Sequence, residues 1–279
     1  MTSILKLFLN SKKFSTKYKK YFDVYEEIFK DFINKEITFV EVGILNGGSL
    51  QMWKEYFGPN ARIIGIDLNP ECKKFEEDGI EIFIGDQSDP KFWDDFYNKV
   101  GPIDILLDDG GHTSLQQIIT TVKSVENIND GGLLMVEDTH TSYQPEFGNP
   151  NKKSFINFSK KIIDDINYTY PGLGEFEHSL NKYIYSMRYF ESFVVCYIDK
   201  KKTYINTMIE NKSMNFESVE DFRYENSIVG ELIINNRFYN KFKFLKKYKL
   251  ATFLVRKIKK ILIFLDSKRD LNKYKKYFK

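Results

Sequence analysis

The sequence predicts an α/β fold: a Rossmann-like, doubly wound sheet of seven strands with a basic helical extension at its C-terminal end. Three observations predict it. Short apolar runs recur between residues 37 and 198, and the first five end on glycine or acid. Helical stretches alternate with these runs, the pattern of βαβ units. Charge then divides the chain: residues 237–279 hold 16 Lys or Arg and only Asp266 and Asp270, a net of +14, leaving 26 basic and 37 acidic residues before them.

Each element follows in order. Tyr18, Tyr21, Phe22, Tyr25, Ile28, Phe29 and Phe32 form a stripe of period near 3.6, so Tyr18 to Ile33 reads as an amphipathic helix covering the sheet or walling the ligand pocket. Ile37 to Val42 is the first strand; Gly47-Gly48-Ser49 then opens a helix through Met52, Trp53 and Tyr56. Arg62 to Asp67 and Ile80 to Ile84 are the next two strands, the second followed by Gly85-Asp86-Gln87-Ser88-Asp89. Ile103 to Leu107 precedes Asp108-Asp109-Gly110-Gly111-His112, and Leu133 to Val136 precedes Glu137-Asp138-Thr139. Both runs read as buried parallel strands. Thr141 to Lys152 is a polar loop and a candidate lid, Ser154 to Ile166 a helix, and Ile184 to Arg188 with Phe193 to Ile198 a closing antiparallel pair. The organisation is an N-terminal helical segment (1–34), a catalytic domain (35–200), a linking segment (201–236) and a basic tail (237–279).

In an open α/β sheet, ligands bind outside the carboxyl ends of the strands. Four carboxylates and one of three histidines fall there after the fourth and fifth strands, a cluster that needs a cation or a shared proton to be tolerated. Gly43 lets the backbone approach a ligand, and Asp67, 24 positions on, can accept two ribose hydroxyls. Asp86 and Gln87 carry the donors and acceptors to read an adenine edge. The bland alternative makes the glycines tight-turn residues and the acids helix caps. Asp108 reads more as a turn or pocket residue than a metal ligand, and His140 as a supporting group behind the site.

These motifs in this order resemble the class I S-adenosylmethionine (SAM) methyltransferases, and within them the metal-dependent sugar O-methyltransferases that modify macrolide sugars and bacterial surface polysaccharides. The resemblance covers about residues 15–200. It implies that Asp109, Glu137 and Asp138 hold a divalent cation such as Mg²⁺, and that His112, beside catalytic Asp109, is the general base. It also implies that Glu41 and Gly43 lie by the methionine part of SAM, Asp67 on the ribose, Asp86 and Gln87 near the adenine, and that Ser49 and Asp108 belong to the SAM pocket. Two departures stand out. Gly111 occupies a place where the family usually has Ser, and Lys17-Tyr18 stands where it often has His-x-Tyr. Carboxylates without cysteine independently suit a hard cation whose shell is completed by water and substrate oxygens.

Composition narrows the classes further. Cys72 and Cys196 suggest neither a disulfide framework nor a zinc site, which fits a cytoplasmic protein. Ile4 to Leu9 is too short for a secretory signal, and no run reaches the ~18 apolar residues of a membrane span. Leu250, Phe253, Leu254, Ile258, Ile261, Leu262 and Leu265 share one helical face among lysines, giving a basic amphipathic helix suited to an anionic inner-leaflet surface, or to packing on its own domain or a second copy. Nucleic acid is disfavoured because the catalytic half is acidic. The expected acceptor is a sugar or glycan hydroxyl, nucleotide-linked, lipid-linked or free. A nucleotide-sugar oxidoreductase or epimerase is the rival enzyme, but the chain lacks G-x-G-x-x-G. A catalytically idle membrane-docking protein is the rival class.

Overall fold

The computed structural model describes residues 4–77, 79–147, 152–169 and 179–211, residue 248, and scattered positions from 253 to 278. The chain divides into two units, Met1–Met208 and Ile209–Lys279.

The first unit is built on a seven-stranded sheet of order β3-β2-β1-β4-β5-β7-β6. Its strands are β1 (Thr38–Val42), β2 (Arg62–Asp67), β3 (Ile80–Ile84), β4 (Ile103–Asp108), β5 (Ile128–Val136), β6 (Ile184–Phe190) and β7 (Phe193–Ile198). β1 to β5 are parallel, and β7 runs antiparallel between β5 and β6. Chain order reverses between β1 and β4, the switch point at which doubly wound sheets open a crevice.

Alternation along β1 assigns the two faces. Phe39 joins one core with Tyr25, Phe29, Trp53 and Phe57, beneath α2 (Tyr21–Phe29) and α3 (Gly48–Phe57). Val40 and Val42 join the other with Trp93, Phe96, Phe155 and Ile162, beneath α4 (Pro90–Val100), α5 (Ser114–Ser124) and α6 (Phe155–Tyr168). A period of two therefore turns Glu41 to the Phe39 face, against α3. The run before Asn10 folds as α1 (Ile4–Asn10), with Ile4 and Leu7 buried in the first core. Cys72 and Cys196 are buried and free.

Helix starts carry their own signals. Asp89 caps α4 with Pro90 in its first turn, Thr113 and Gln116 form a capping box on α5, and Ser154 caps α6. Several expected boundaries move. The first long helix begins at Tyr21, not Tyr18, and tightens into a 3₁₀ turn over Lys30–Phe32; Tyr18 stays outside and exposed, its carbonyl accepting from the Tyr21 amide (3.0 Å) in the turn that leads into the helix. β5 starts five residues early, at Ile128, through an Asn-Asp-Gly-Gly stretch that reads as a turn, its first three residues exposed and Gly132 buried. Gly132 makes this pairing feasible, since a Cβ there would lie 2.3 Å from the Asp104 carbonyl oxygen. α6 runs two residues past Ile166, to Tyr168. The expected lid contains 3₁₀ turns at Thr139–Tyr143 and Pro145–Phe147; residues 148–151 lie outside the described residues.

In the second unit, the described positions from 253 to 274 are helical. Phe253, Leu254, Ile258, Ile261, Phe264 and Leu265 are each about half exposed. The remainder of the expected tail helix falls outside the described residues. Among the described residues, no helix is long and apolar enough to cross a membrane.

Candidate active site

A cleft of about 420 Å³ opens at the carboxyl ends of β1 to β4, the size range of small-molecule sites. Gly43, Ser49, Asp67, Asp86 and Gln87 line it toward the β2 and β3 side, and Asp109, His112 and Asp138 toward the β4 and β5 side. Ser15 and Thr16 of the N-terminal segment also reach it.

The turn after β1 makes the approach. Gly43 has φ +84°, and a Cβ there would fall 2.2 Å from the Asp109 carbonyl oxygen. Only glycine allows the β1 and β4 turns to close this tightly. Asp67 accepts from the backbone amides of Ile44 (3.1 Å) and Asn69 (2.8 Å), one on each oxygen, so each oxygen keeps a lone pair for a ligand hydroxyl. Asp86 accepts from the backbone N–H and hydroxyl of Ser88.

Several expected ligand residues lie beneath the cleft instead. Glu41 is fully buried and accepts from Ser49 Oγ (2.7 Å) and Trp53 Nε1 (3.1 Å). Burial pushes its carboxyl up to about 7, against the pull of Lys17. Asp108, also raised by burial, accepts from Gln87 Nε2 (2.9 Å) and the Gly110 amide, while its Oδ2 has no partner. Gln87 borders the cleft, but its amide is spent: Nε2 donates to Asp108 and Thr120, and Oε1 accepts from the Gly111 amide at 2.9 Å. It braces the Asp108–Gly111 turn, where the sequence suggested an adenine reader.

The other end is a carboxylate cluster. Asp109, His112 and Asp138 each offer one ligand atom, all within 4.8 Å of one another, and all three border the cleft. His112 Nε2 lies 3.6 Å from Asp138 Oδ2, and its Nδ1 is buried without a partner. His112 and Asp138 both hold left-handed backbone (φ +59° and +54°), a costly conformation for side-chain-bearing residues that concentrates at functional sites. Thr141 Oγ1 ties the two turns by donating toward the carbonyls of His112 (3.0 Å) and Asp138 (2.7 Å). This donor set, two carboxylates with an imidazole alongside, fits a hard divalent cation.

Glu137 does not join that set. It is 1% exposed, accepts from Tyr25 OH at 2.5 Å, and faces Lys17 Nζ at 3.2 Å through both oxygens. Burial and Asp109 push its carboxyl well above the ordinary range, with Lys17 and Tyr25 opposing. Lys17 Nζ also donates to Asp109 Oδ2 and lies 3.9 Å from Glu41. Burial opposes charge on Lys17, yet the three carboxylates outweigh it and hold the ammonium above its usual range. Tyr21 OH donates to Asp138 Oδ1.

Sequence reasoning missed Lys17, Tyr21, Tyr25 and Thr141. The tyrosines read as core, and their rings are core: Tyr21 and Tyr25 pack edge-on to Phe193. Their i, i+4 spacing is the missed signal, since it delivers two hydroxyls from one helix face to the adjacent Glu137 and Asp138. His140 takes the supporting place expected of it, 2.9 Å from Ser192 Oγ and 3.8 Å from Asp138.

No family model matches the chain. Curated relatives do. The 8-demethyl-8-alpha-L-rhamnosyl tetracenomycin-C 2'-O-methyltransferase of Streptomyces olivaceus is 33% identical over 162 residues, 54% of this chain and 42% of that protein. The mycinamicin VI 2''-O-methyltransferase of Micromonospora griseorubida is 32% identical over 156 residues, 52% of this chain and 39% of that protein. The chain thus spans about two fifths of the length of these relatives. Among solved structures, the MycE methyltransferase of the mycinamycin pathway, in complex with Mg and SAH, superposes with a TM-score of 0.65 at 23% identity, over 77% of this chain and 58% of that one. The fold is that of a class I methyltransferase, and the relatives are sugar O-methyltransferases, as the motifs led us to expect.

Proposed function

We propose that this chain is a SAM-dependent, divalent-metal-dependent O-methyltransferase acting on a sugar hydroxyl. The observation that carries the reading is one cleft with two chemistries. A glycine-lined turn and Asp67 stand at one end, and Asp109, His112 and Asp138 converge at the other. Relatives named as sugar O-methyltransferases, and a fold neighbour in complex with Mg and SAH, support it.

Asp67 accepts the ribose hydroxyls of SAM, Asp86 borders the base, and Gly43 and Ser49 leave room for the methionine part. Asp109 and Asp138 hold the cation, which when bound would make a coordinated sugar hydroxyl more acidic. His112 takes the hydroxyl proton; its place beside Asp138 also suits a third ligand, but transfer from a hydroxyl needs a proton acceptor within reach. Tyr21 holds Asp138, and Thr141 holds the turn that carries it, so the oxygen is presented in line with the methyl group.

The deciding experiment measures SAM turnover against a panel of glycosides and nucleotide sugars, with excess chelator and with Mg²⁺ restored. Methylation of a sugar hydroxyl that stops with chelator and returns with Mg²⁺ is the expected result. Full activity in chelator, or NAD binding in place of SAM, would overturn the reading.

The basic tail supports a finer proposal. Its net +14 charge and exposed apolar side chains suit reversible attachment to an anionic membrane on the cytoplasmic side, beside assembly of surface polysaccharides such as capsule or lipopolysaccharide. Binding to anionic vesicles should weaken as salt shortens the Debye length, and deletion of 237–279 should abolish it while leaving turnover of a soluble acceptor largely intact. A deletion that instead dissociates a homo-oligomer, in a protein that ignores vesicles, would make the apolar face a packing surface.

A further inference from the structure

We propose that Tyr18 and Phe147 form the acceptor subsite: two aromatic rings that bracket the Asp138 end of the cleft and take the C–H faces of a pyranose ring. The inference deepens the methyltransferase reading above and rests on it.

Asp138 is the centre of the arrangement. His112 Nε2 lies 3.6 Å from its Oδ2, and His140 Nδ1 lies 3.8 Å from its Oδ1. Each imidazole has an aromatic ring edge-on to it. Phe147 stands 6.3 Å from His112 at an interplanar angle of 63°, and Tyr18 stands 6.2 Å from His140 at 81°. One ring comes from the segment before α2 and the other from the loop after β5. They end a single row of side chains that has Asp138 and both imidazoles between them. Neither ring lines the cleft itself.

That placement suits the acceptor. A molecule the size of SAM fills most of a cleft of about 420 Å³. In-line transfer puts the attacking oxygen on the far side of the methyl group from the sulfur. The sugar is therefore held beyond the cleft lining, at the end where Asp138 and His112 still reach solvent. A pyranose carries hydroxyls at its edge and C–H groups on its faces. Its edge is served by the Asp138 end of the cleft, and its faces need flat apolar partners. Tyrosine and phenylalanine supply such faces, with few rotatable bonds to order.

A single exposed ring is ordinary on a protein surface. Tyr18, 62% exposed, is held in place nonetheless. Its ring packs on Tyr21 at 5.3 Å, and its carbonyl accepts from the Tyr21 amide. Tyr21 in turn donates to Asp138, so one short run of chain fixes both the ring and the carboxylate beside it. Phe147 is half-buried, and its amide donates to the Gln144 carbonyl at 3.2 Å.

The test measures SAM turnover against methyl glucoside, methyl mannoside and methyl rhamnoside, with SAH affinity by calorimetry. Tyr18→Leu and Phe147→Leu should each raise the acceptor KM about tenfold, the worth of one buried ring face, while kcat and SAH affinity move far less. Tyr18→Phe should keep KM within about twofold, because the ring face and not the hydroxyl makes the contact. Unchanged KM in both leucine variants would overturn the proposal, as would an equal loss in Tyr18→Phe and Tyr18→Leu. Saturation-transfer NMR of the same glycosides on the full chain separates this outcome from the donor reading. If wild type methylates none of them, transfer to the pyranose C–H protons that weakens in both leucine variants still supports the subsite, and SAH binding judges the donor reading by itself. Absence of transfer in wild type, or transfer that neither variant alters, overturns the subsite even where SAH binds.

Discussion

The two ends of the cleft differ in how far apart in sequence their parts lie. At the donor end, Asp86 holds Ser88, Glu41 holds Ser49, and Asp67 holds Asn69 and Ile44, partners two to 23 residues apart. At the metal end, Lys17 reaches Asp109 across 92 residues, Tyr25 reaches Glu137 across 112, and Tyr21 reaches Asp138 across 117. The donor end is made by the strand-to-helix turns themselves. The metal end takes Asp109, His112 and Asp138 from the β4 and β5 turns, but its braces Lys17, Tyr21 and Tyr25 reach it only once the N-terminal segment and α2 have docked on the sheet. It also contains the left-handed backbone of His112 and Asp138, conformations that surrounding contacts must hold in place.

The difference implies an order of sensitivity, and the largest effect belongs to the metal end. His112→Ala should lower turnover by about 10²–10⁴-fold, the span of a lost general base, while SAM affinity stays near wild type. Single-turnover rates with calorimetry for SAM would check both halves. Near-normal turnover would transfer proton removal to another group such as His140, and a parallel loss of SAM affinity would erase the distinction between the two ends.

How much of this was legible follows from the same contrast. The seven strands and the acids at their ends are local signals, because a parallel strand must be apolar and a turn at its end must show its polar residues. Asp67, Asp109, His112 and Asp138 were accordingly placed at the cleft from sequence, and the structure puts them there. Glu41 and Gln87 were legible as polar residues at strand ends, but not as buried braces, because that depends on what packs beneath them. Trp53 and Ser49 claim the Glu41 carboxylate, while Thr120 and Asp108 claim the Gln87 amide. Lys17 was visible only as a departure from a family pattern. A lysine beside a tyrosine before a helix looks solvated until the fold closes three carboxylates around it.

Glu41 joins the two ends, and pH should expose it. Its carboxyl is raised to about 7 by burial, against an ordinary value of 4.5. The folded protein therefore favours the protonated form. Its contribution to stability is complete below the ordinary value and is lost as pH rises through about 7, by on the order of 3 kcal/mol. Thermal melts of wild type and Glu41→Gln should diverge in favour of the glutamine variant as pH climbs from about 5 to about 8. A constant difference across that window would mean that Lys17 keeps Glu41 ionised throughout.

Asp67→Ala sharpens the donor side. It should weaken SAM binding by roughly 1.5–3 kcal/mol, the worth of hydrogen bonds to a charged group, and leave the affinity for Mg²⁺ unchanged. Equilibrium binding of SAM and of Mn²⁺ to the same variant would test the separation. A loss of metal affinity of similar size would mean that the β2 turn supports both ends.

The smallest effect should come from Gly111→Ser, which introduces the residue the family usually carries. A Cβ at this position would lie 2.3 Å from Gln116 Nε2 and 2.4 Å from Oε1, so Gln116 must give way. That side-chain amide completes the capping box of α5: its Oε1 accepts from the Thr113 hydroxyl (2.6 Å) and backbone amide (3.2 Å), while Thr113 Oγ1 accepts from the Gln116 backbone N–H. Displacing a flexible side chain costs less than moving backbone, so the loss should stay below about 1 kcal/mol, the scale of one cap. Thr113 directly follows His112, and a loosened cap should lower turnover modestly without touching SAM affinity. The cycle with Gln116→Ala isolates the cause. Gly111→Ser should be nearly neutral in that background if Gln116 is what the serine displaces. An unchanged penalty would place the conflict in the turn itself, between the new side chain and the Asp108–Gly110 backbone.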